Sequence, residues 1–196
     1  GWTITWQGRE NLNSDFINIY SIYEALEQAI ISSGGTIEFS NNGKFINDPD
    51  VVIGIFGEEP YAEMLGDLKD VSFVETDPKF LPLLEAINAQ NIPTVSIFLS
   101  GRPLEVNRQL NASDAFIAAW LPGSAVEGIA DVIFIKDNKI NYDFTGKLSY
   151  SWPRTKDQAV LNFTDSIYDP LFPFGYGLTY TSDLEVERIQ TNRSDP

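Results

Sequence analysis

Three short, mainly apolar runs divide the middle of the chain, and each of them ends abruptly in a polar loop. The runs cover residues 51–56, 94–99 and 115–121, and the first of them is uninterrupted. Mainly apolar runs of this length are typical of strands that are buried on both faces of a parallel sheet. The pattern therefore predicts a mostly parallel sheet that is covered by helices.

Amphipathic segments alternate with these runs. Residues 19–32 form the clearest predicted helix, because their apolar side chains fall on one stripe and two glycines follow. Asp77 and Pro78 are suited to the N-cap and first position of a second helix, which extends to about residue 90. Pro82 lies inside that segment and is an alternative start.

A third helix is predicted over residues 124–134, where Ser124 and Glu127 have the spacing of a capping box. Shorter strands are predicted at residues 36–40 and, as an edge strand, at residues 147–152. The alternation of strands and helices predicts an α/β fold, specifically a three-layer α/β/α sandwich with right-handed crossovers.

The last part of the chain differs in character. A turn is predicted at residues 137–139. Residues 165–180 are rich in aromatic residues, proline and glycine, and we expect them to pack over other structure through their rings. Residues 181–196 are polar and are expected to be a tail or a linker. The chain opens at Gly1 without a signal peptide, and we expect it to be a fragment of a longer protein.

Composition limits the chemistry that the chain can perform. It carries 13 basic and 28 acidic residues, a net charge of −15, which argues against nucleic acid or an anionic membrane as a partner. It has no cysteine and no histidine, which excludes thiol catalysis, a serine–histidine triad and histidine-ligated zinc. Carboxylates are therefore the leading candidates for acid–base chemistry near neutral pH.

Four carboxylates follow the first buried strand, in the loop where an α/β sheet commonly binds its ligands: Glu58, Glu59, Glu63 and Asp67. One carboxyl group that donates a proton and a second that acts as a nucleophile or base are what glycoside hydrolysis requires. A solvated surface loop, a Mg²⁺ or Ca²⁺ site and the first turn of a helix are the alternatives. Spacing alone does not favour Glu63 over Glu58, or an acid over a metal ligand.

Two tryptophans near the start of the chain offer a surface for a sugar. Trp2 and Trp6 would lie on one face of a strand, and the apolar faces of a pyranose stack on aromatic rings. Packing of both rings on their own domain is the alternative. A receiver-like or nucleotide-binding domain is a further possibility for a bare α/β pattern, but no glycine-rich phosphate loop follows the first strand.

Five stretches, in order along the chain, resemble the second domain of family 3 glycoside hydrolases, the exo-acting β-glucosidases and β-glucan exohydrolases. They are Gly-Trp-Thr-Ile-Thr-Trp-Gln-Gly at 1–8, Gly-Glu-Glu-Pro-Tyr-Ala-Glu-Met-Leu-Gly-Asp at 57–67, Ser-Gly-Arg-Pro at 100–103, Ala-Trp-Leu-Pro-Gly-Ser at 119–124 and Pro-Leu-Phe-Pro-Phe-Gly-Tyr-Gly-Leu-Thr-Tyr at 170–180. The first two are most similar to the exo-β-glucanase branch. Glu59 departs from the pattern, which often has histidine there.

The resemblance implies a sheet of about six strands in residues 1–180 and a separate barrel domain against which it docks. It implies that Glu63 is the catalytic acid/base and that Trp6 belongs to a tryptophan pair that clamps the sugar at the +1 subsite. The nucleophile would be an aspartate of the barrel domain, which this chain lacks. The implied protein is a retaining exo-β-glucosidase, secreted or periplasmic, that acts on β-glucan or β-gluco-oligosaccharides without a cofactor or metal. The alternative is a non-catalytic carbohydrate-binding or docking module.

Overall fold

The computed structural model describes residues 4–191, and its centre is a parallel sheet of three strands in the order β1-β2-β3. The strands are β1 (Val52–Gly57), β2 (Thr94–Leu99) and β3 (Ala115–Trp120). Each coincides with one of the three apolar runs to within a residue, so the prediction of parallel strands is confirmed. Burial differs among them, because β1 and β2 contain buried residues and β3 contains none.

The pairing of the strands brings their carboxyl ends to one edge of the sheet. Phe56 pairs with Phe98, and Gly57 pairs with Leu99. Between β2 and β3 the register shifts after Phe98, so that Leu99 pairs with Trp120. Trp120 itself has a left-handed backbone, with a φ of 52°. This irregularity lies at the same edge of the sheet as the loop that follows β1.

Within residues 4–191, four α-helices connect or flank the strands. They are α1 (Ile22–Ser32), α2 (Phe80–Asn88), α3 (Asn107–Asn111) and α4 (Glu127–Ile133). The same part of the chain has two short 3₁₀ helices, at Asn13–Asp15 and Glu63–Gly66. A two-stranded antiparallel hairpin, β4 (Ile135–Lys136) and β5 (Lys139–Ile140), follows α4. Asp137 and Asn138 form its turn, as predicted, and both have the positive φ that a tight hairpin turn requires.

The starts of the helices show which local signals were decisive. Ser21 caps α1 through a capping box with Glu24, in which each side chain bonds to the backbone of the other residue. Asp77 does not cap α2, because its side chain accepts from the amide of Lys79 in the turn before the helix. Pro82 is the third residue of α2, where its missing N–H removes no intrahelical bond.

The predicted capping box of Ser124 and Glu127 is wrong. The helix begins at Glu127, after Val126, and no side chain caps it. Ser124 lies inside the preceding turn, in which the amide of Ala125 donates to the carbonyl of Pro122 and Gly123 has a φ of 60°. The left-handed glycine turns the chain before a helix can start at Ser124.

The two faces of the sheet have separate cores, divided at the adjacent and fully buried residues Ile97 and Phe98. Ile97 clusters with Leu26 of α1 and Ile129 of α4. Phe98 faces the other way. It clusters with Phe56 and with Trp152 of the C-terminal part of the chain. Helices α1 and α4 therefore cover one face, whereas α2 packs Phe80 against the other.

The predicted number of about six strands is not confirmed, since within residues 4–191 the parallel sheet has three. The predicted strands at residues 36–40 and 147–152 do not form. Residues 36–40 pair with no strand among the described residues, and Phe39 is exposed to solvent. Trp152 makes only an isolated antiparallel bridge with Phe172. A strand needs a backbone partner, which the alternation of side chains in one segment does not supply.

The aromatic segment packs on the sheet through some of its rings. Leu171 and Phe172 contact the cluster around Phe98, and Tyr176 stacks on Phe172 with ring centroids 4.6 Å apart. Phe174 remains half exposed and stacks on Phe163 instead. No helix between residues 4 and 191 combines the length and the apolar character that a membrane span requires.

Candidate active site

The acidic loop, residues 58–67, leaves the carboxyl end of β1 and lies beside the end of β2. The amide of Glu58 donates a 2.8 Å hydrogen bond to the carbonyl of Leu99, which continues the pairing of the two strands by one residue. Residues 100–102 follow β2 directly, so the two loops leave the sheet side by side. This is the edge at which ligands bind in parallel α/β sheets.

Glu63 opens the 3₁₀ helix Glu63–Gly66 and is exposed. Its φ of 48° lies in the left-handed region, which costs a non-glycine residue about 1 to 2 kcal/mol. Residues in such conformations occur where the surrounding contacts hold them, and they are concentrated at functional sites. The contacts of the acidic loop therefore decide how Glu63 is presented.

The side chain of Trp6 contacts Glu63. Its indole Nε1 donates a 3.3 Å hydrogen bond to Oε1 of Glu63, and 68% of Trp6 is exposed. The predicted strand around Trp6 is wrong, because residues 5–8 form a turn in which the amide of Gly8 donates to the carbonyl of Thr5. Trp2 lies outside the described residues. The alternative in which Trp6 packs inside its own domain does not agree with its exposure.

Two further side chains of the N-terminal segment tie it to the acidic loop. The side-chain oxygen of Gln7 accepts a 2.6 Å hydrogen bond from the amide of Ala62. Arg9 donates from Nε to the carbonyl of Pro60 at 3.1 Å. These bonds hold the backbone immediately before Glu63 against the turn that carries Trp6. Sequence reasoning missed both residues, although Gln7 belongs to the first motif and Arg9 follows its last residue.

Glu58 has a different role from Glu63, because it forms an ion pair with Arg102. Nη2 and Nε of Arg102 donate to Oε1 of Glu58 at 2.6 and 2.8 Å, and only 11% of the Glu58 side chain is exposed. The amide of Gly101 approaches the second carboxylate oxygen at 3.4 Å. A carboxylate that is engaged in this way is not available to a substrate, so the structure separates two candidates that spacing did not.

The same arginine contacts the rest of the acidic loop. Nη1 of Arg102 donates to the carbonyl of Gly66 at 2.7 Å, and the guanidinium carbon lies 4.4 Å from the ring centroid of Tyr61. Burial raises the pKa of the Tyr61 hydroxyl, and the negative charge of Glu58 adds to that shift while Arg102 opposes it. Sequence reasoning used Arg102 only as part of a motif. Its position at the end of the neighbouring strand was the signal that could have predicted these contacts.

The four carboxylates of the acidic loop do not converge. Glu59 and Asp67 are exposed, Glu58 bonds to Arg102, and Glu63 bonds to Trp6. In the part of the chain that the structure describes, no group of three or more Asp, Glu, His or Cys side chains is arranged to hold a metal ion. The geometry of the loop thus places one exposed carboxylate, that of Glu63, beside an exposed indole ring.

A family model and a solved structure both match this chain. Residues 2–180 match the family model of the glycosyl hydrolase family 3 C-terminal domain. The structure superposes on that of an exo-1,3/1,4-β-glucanase from a Pseudoalteromonas species with a TM-score of 0.94 and 50% identity, covering 100% of this chain and 24% of that one.

Curated relatives are more distant in sequence. A periplasmic β-glucosidase of Salmonella typhimurium is 27% identical over 86% of this chain, and a lysosomal β-glucosidase of Dictyostelium discoideum is 29% identical over 93%. These matches cover 23% and 24% of the two relatives. The chain therefore spans about a quarter of the length of the proteins that it resembles.

Proposed function

The chain belongs to the glycosyl hydrolase family 3 C-terminal domains, and on that premise we propose that it carries the acid/base of a retaining exo-β-glucosidase. The complete enzyme would release glucose from the non-reducing ends of β-glucans or β-gluco-oligosaccharides. The observation that supports this most directly is the contact between an exposed carboxylate, Glu63, and an exposed indole, Trp6. A sugar ring that stacks on Trp6 would have its glycosidic oxygen close to Glu63.

The proposed reaction has two steps and uses Glu63 in both. In the first step an aspartate of the barrel domain attacks the anomeric carbon, the bond from that carbon to the glycosidic oxygen breaks, and Glu63 gives its proton to the leaving oxygen. In the second step Glu63 takes a proton from water, the water oxygen bonds to the anomeric carbon, and the aspartate leaves with the electron pair. Because the aspartate is in another domain, residues 1–196 alone would be inactive.

We propose that residues 1–180 form one domain, that residues 181–196 are a tail or linker, and that the surface around Trp6 docks on the barrel domain. Several apolar residues of this surface are exposed in the chain alone, as expected for a surface that a partner covers: Ile4, Trp6, Met64, Leu65 and Leu68. In the complete protein the sheet would be part of a three-layer arrangement of about six strands. The name of the Salmonella relative favours a periplasmic or secreted location.

The full-length protein with Glu63→Ala tests this function. An aryl β-glucoside with a good leaving group needs no acid in the first step, so the variant should form the glycosyl-enzyme and then stall, and it should accumulate that intermediate. Azide, which needs no general base, should restore turnover and give β-glucosyl azide. Retained wild-type activity of Glu63→Gln on an unactivated glucan, or no response of the alanine variant to azide, would contradict the assignment.

A non-catalytic carbohydrate-binding module is the second candidate, and the exposure of Trp6 is the observation that favours it. This candidate predicts that residues 1–196 alone bind gluco-oligosaccharides measurably and that Trp6→Ala abolishes the binding. The catalytic proposal predicts negligible binding by the chain alone, because half of the subsite lies in the barrel domain. Isothermal titration with a gluco-oligosaccharide therefore separates the two functions.

A further inference from the structure

We propose that Arg102 is a positioning residue that holds the Glu63–Gly66 turn in the conformation that presents Glu63 to the substrate. The inference rests on the proposed acid/base function of Glu63. It follows from contacts that Arg102 makes with the acidic loop on both sides of that residue. No contact between Arg102 and Glu63 itself is needed.

Arg102 holds the loop at two points along the chain. Before Glu63, its guanidinium lies over the ring of Tyr61 at 4.4 Å. After Glu63, its Nη1 donates to the carbonyl of Gly66 at 2.7 Å, at the last residue of the turn. The ring of Tyr61 also packs closely on Gly66, since a Cβ added to that glycine would lie 2.7 Å from the ring. The two flanks of Glu63 and the guanidinium thus form one packed unit.

Glu58 orients the guanidinium. It accepts from both Nε and Nη2, so the plane of Arg102 is fixed relative to the end of β1. Glu58 is tied to the sheet in turn, because its amide bonds to the carbonyl of Leu99. A continuous series of contacts therefore leads from the rigid strand ends through Glu58 and Arg102 to the turn that begins at Glu63.

Lysine cannot replace these contacts. A planar guanidinium holds five N–H donors in a rigid fork and stacks on an aromatic ring with its face, whereas an ammonium is a single point charge. Arg102→Lys keeps the charge opposite Glu58 but loses the simultaneous bond to Gly66 and the stacking on Tyr61. Without these two contacts the left-handed conformation of Glu63 is less constrained. The carboxyl group is then expected to move away from the glycosidic oxygen of the substrate.

The test compares two substrates of the full-length protein, because a misplaced acid affects them differently. An unactivated gluco-disaccharide requires protonation of its leaving group, whereas a 2,4-dinitrophenyl β-glucoside does not. For Arg102→Lys we expect kcat/KM on the disaccharide to fall about 10- to 100-fold, as for a catalytic group displaced by about 1 Å. On the dinitrophenyl substrate we expect kcat/KM to change less than about 3-fold, since the first step then needs no proton.

Arg108→Lys is the matched control. Arg108 forms an exposed ion pair with Glu85 at 3.2 Å, between helices α3 and α2. The control therefore makes the same arginine-to-lysine substitution in an ion pair of a different part of the chain. We expect this variant to behave as wild type on both substrates, and thermal unfolding of both variants to show that they fold.

Glu63→Ala, measured in parallel, separates this inference from the proposed function. If Glu63→Ala shows the dependence on leaving group and Arg102→Lys does not, the positioning role is overturned and the acid/base role stands. If Arg102→Lys lowers kcat/KM equally for both substrates, the role of Arg102 is structural only, and the inference is again overturned. If Glu63→Ala itself shows no dependence on leaving group, both proposals are wrong.

Discussion

The indole Nε1 of Trp6 lies 3.3 Å from Oε1 of Glu63, although the two residues are 57 positions apart in the chain. One is the exposed ring that a sugar could stack on, and the other is the exposed carboxylate beside it. The turn that carries Trp6 is held on the acidic loop by Gln7 and Arg9, so the two groups are kept together by several bonds. Trp6 should therefore have two effects. Its ring should affect substrate binding, and its N–H should affect the orientation of Glu63.

Substitutions of Trp6 can distinguish these two effects. Trp6→Phe retains an aromatic face and removes the N–H donor, whereas Trp6→Ala removes both. In the full-length protein we expect Trp6→Ala to raise KM for a gluco-oligosaccharide about 3- to 10-fold, which corresponds to the loss of one aromatic stacking contact. Trp6→Phe should have a smaller effect on KM, because most of the stacking surface remains.

Phe39→Ala serves as the control for Trp6, since Phe39 is another exposed aromatic residue but packs its ring against Tyr23 of α1. Initial rates over a range of oligosaccharide concentrations give KM and kcat for all three variants. An unchanged KM for Trp6→Ala would mean that Trp6 does not bind the sugar.

Gly66→Ala tests whether the packing under Tyr61 matters for the acidic loop. The new Cβ would lie 2.7 and 2.8 Å from two ring atoms of Tyr61, so the ring must move, and the guanidinium of Arg102 rests on that ring. We expect the full-length variant to remain folded and to lose about 10-fold in kcat/KM on an unactivated gluco-disaccharide. Steady-state kinetics, with circular dichroism to verify folding, measure this.

Gly128→Ala is the matched control for Gly66→Ala. A Cβ at Gly128 would meet nothing within 4 Å, and Gly128 lies inside α4, where alanine is the better helix former. Its activity should equal that of the wild type. Equal loss of activity in both variants would show that the effect at Gly66 does not arise from its contact with Tyr61.

How far the sequence predicts this structure depends on whether the deciding contact is local. The three parallel strands were predictable, because a mainly apolar run between polar loops is a property of the segment itself. Residues 36–40 alternate like a strand but form none, since their pairing depends on a neighbour. The preference for Glu63 over Glu58 was likewise not readable from spacing. It depends on Arg102, which follows the end of the next strand and forms an ion pair with Glu58.

The capping box of α1 should make the stability of the chain depend on pH. Backbone and side-chain hydrogen bonds from Ser21 lower the pKa of the Glu24 carboxyl group. A carboxyl group whose pKa is lower in the folded state contributes stability that is complete above its unfolded pKa of about 4.3 and is lost as pH falls through its folded pKa. We therefore expect Glu24→Gln to be less stable than wild type at neutral pH, with the difference narrowing below about pH 4.

Denaturation of residues 1–196 by urea at several pH values measures this difference in stability. Glu59→Gln is the control, because that side chain is exposed outside any helix and its replacement removes a carboxylate without removing a capping box. A gap for Glu24→Gln that is equally wide at neutral and acidic pH would contradict the prediction.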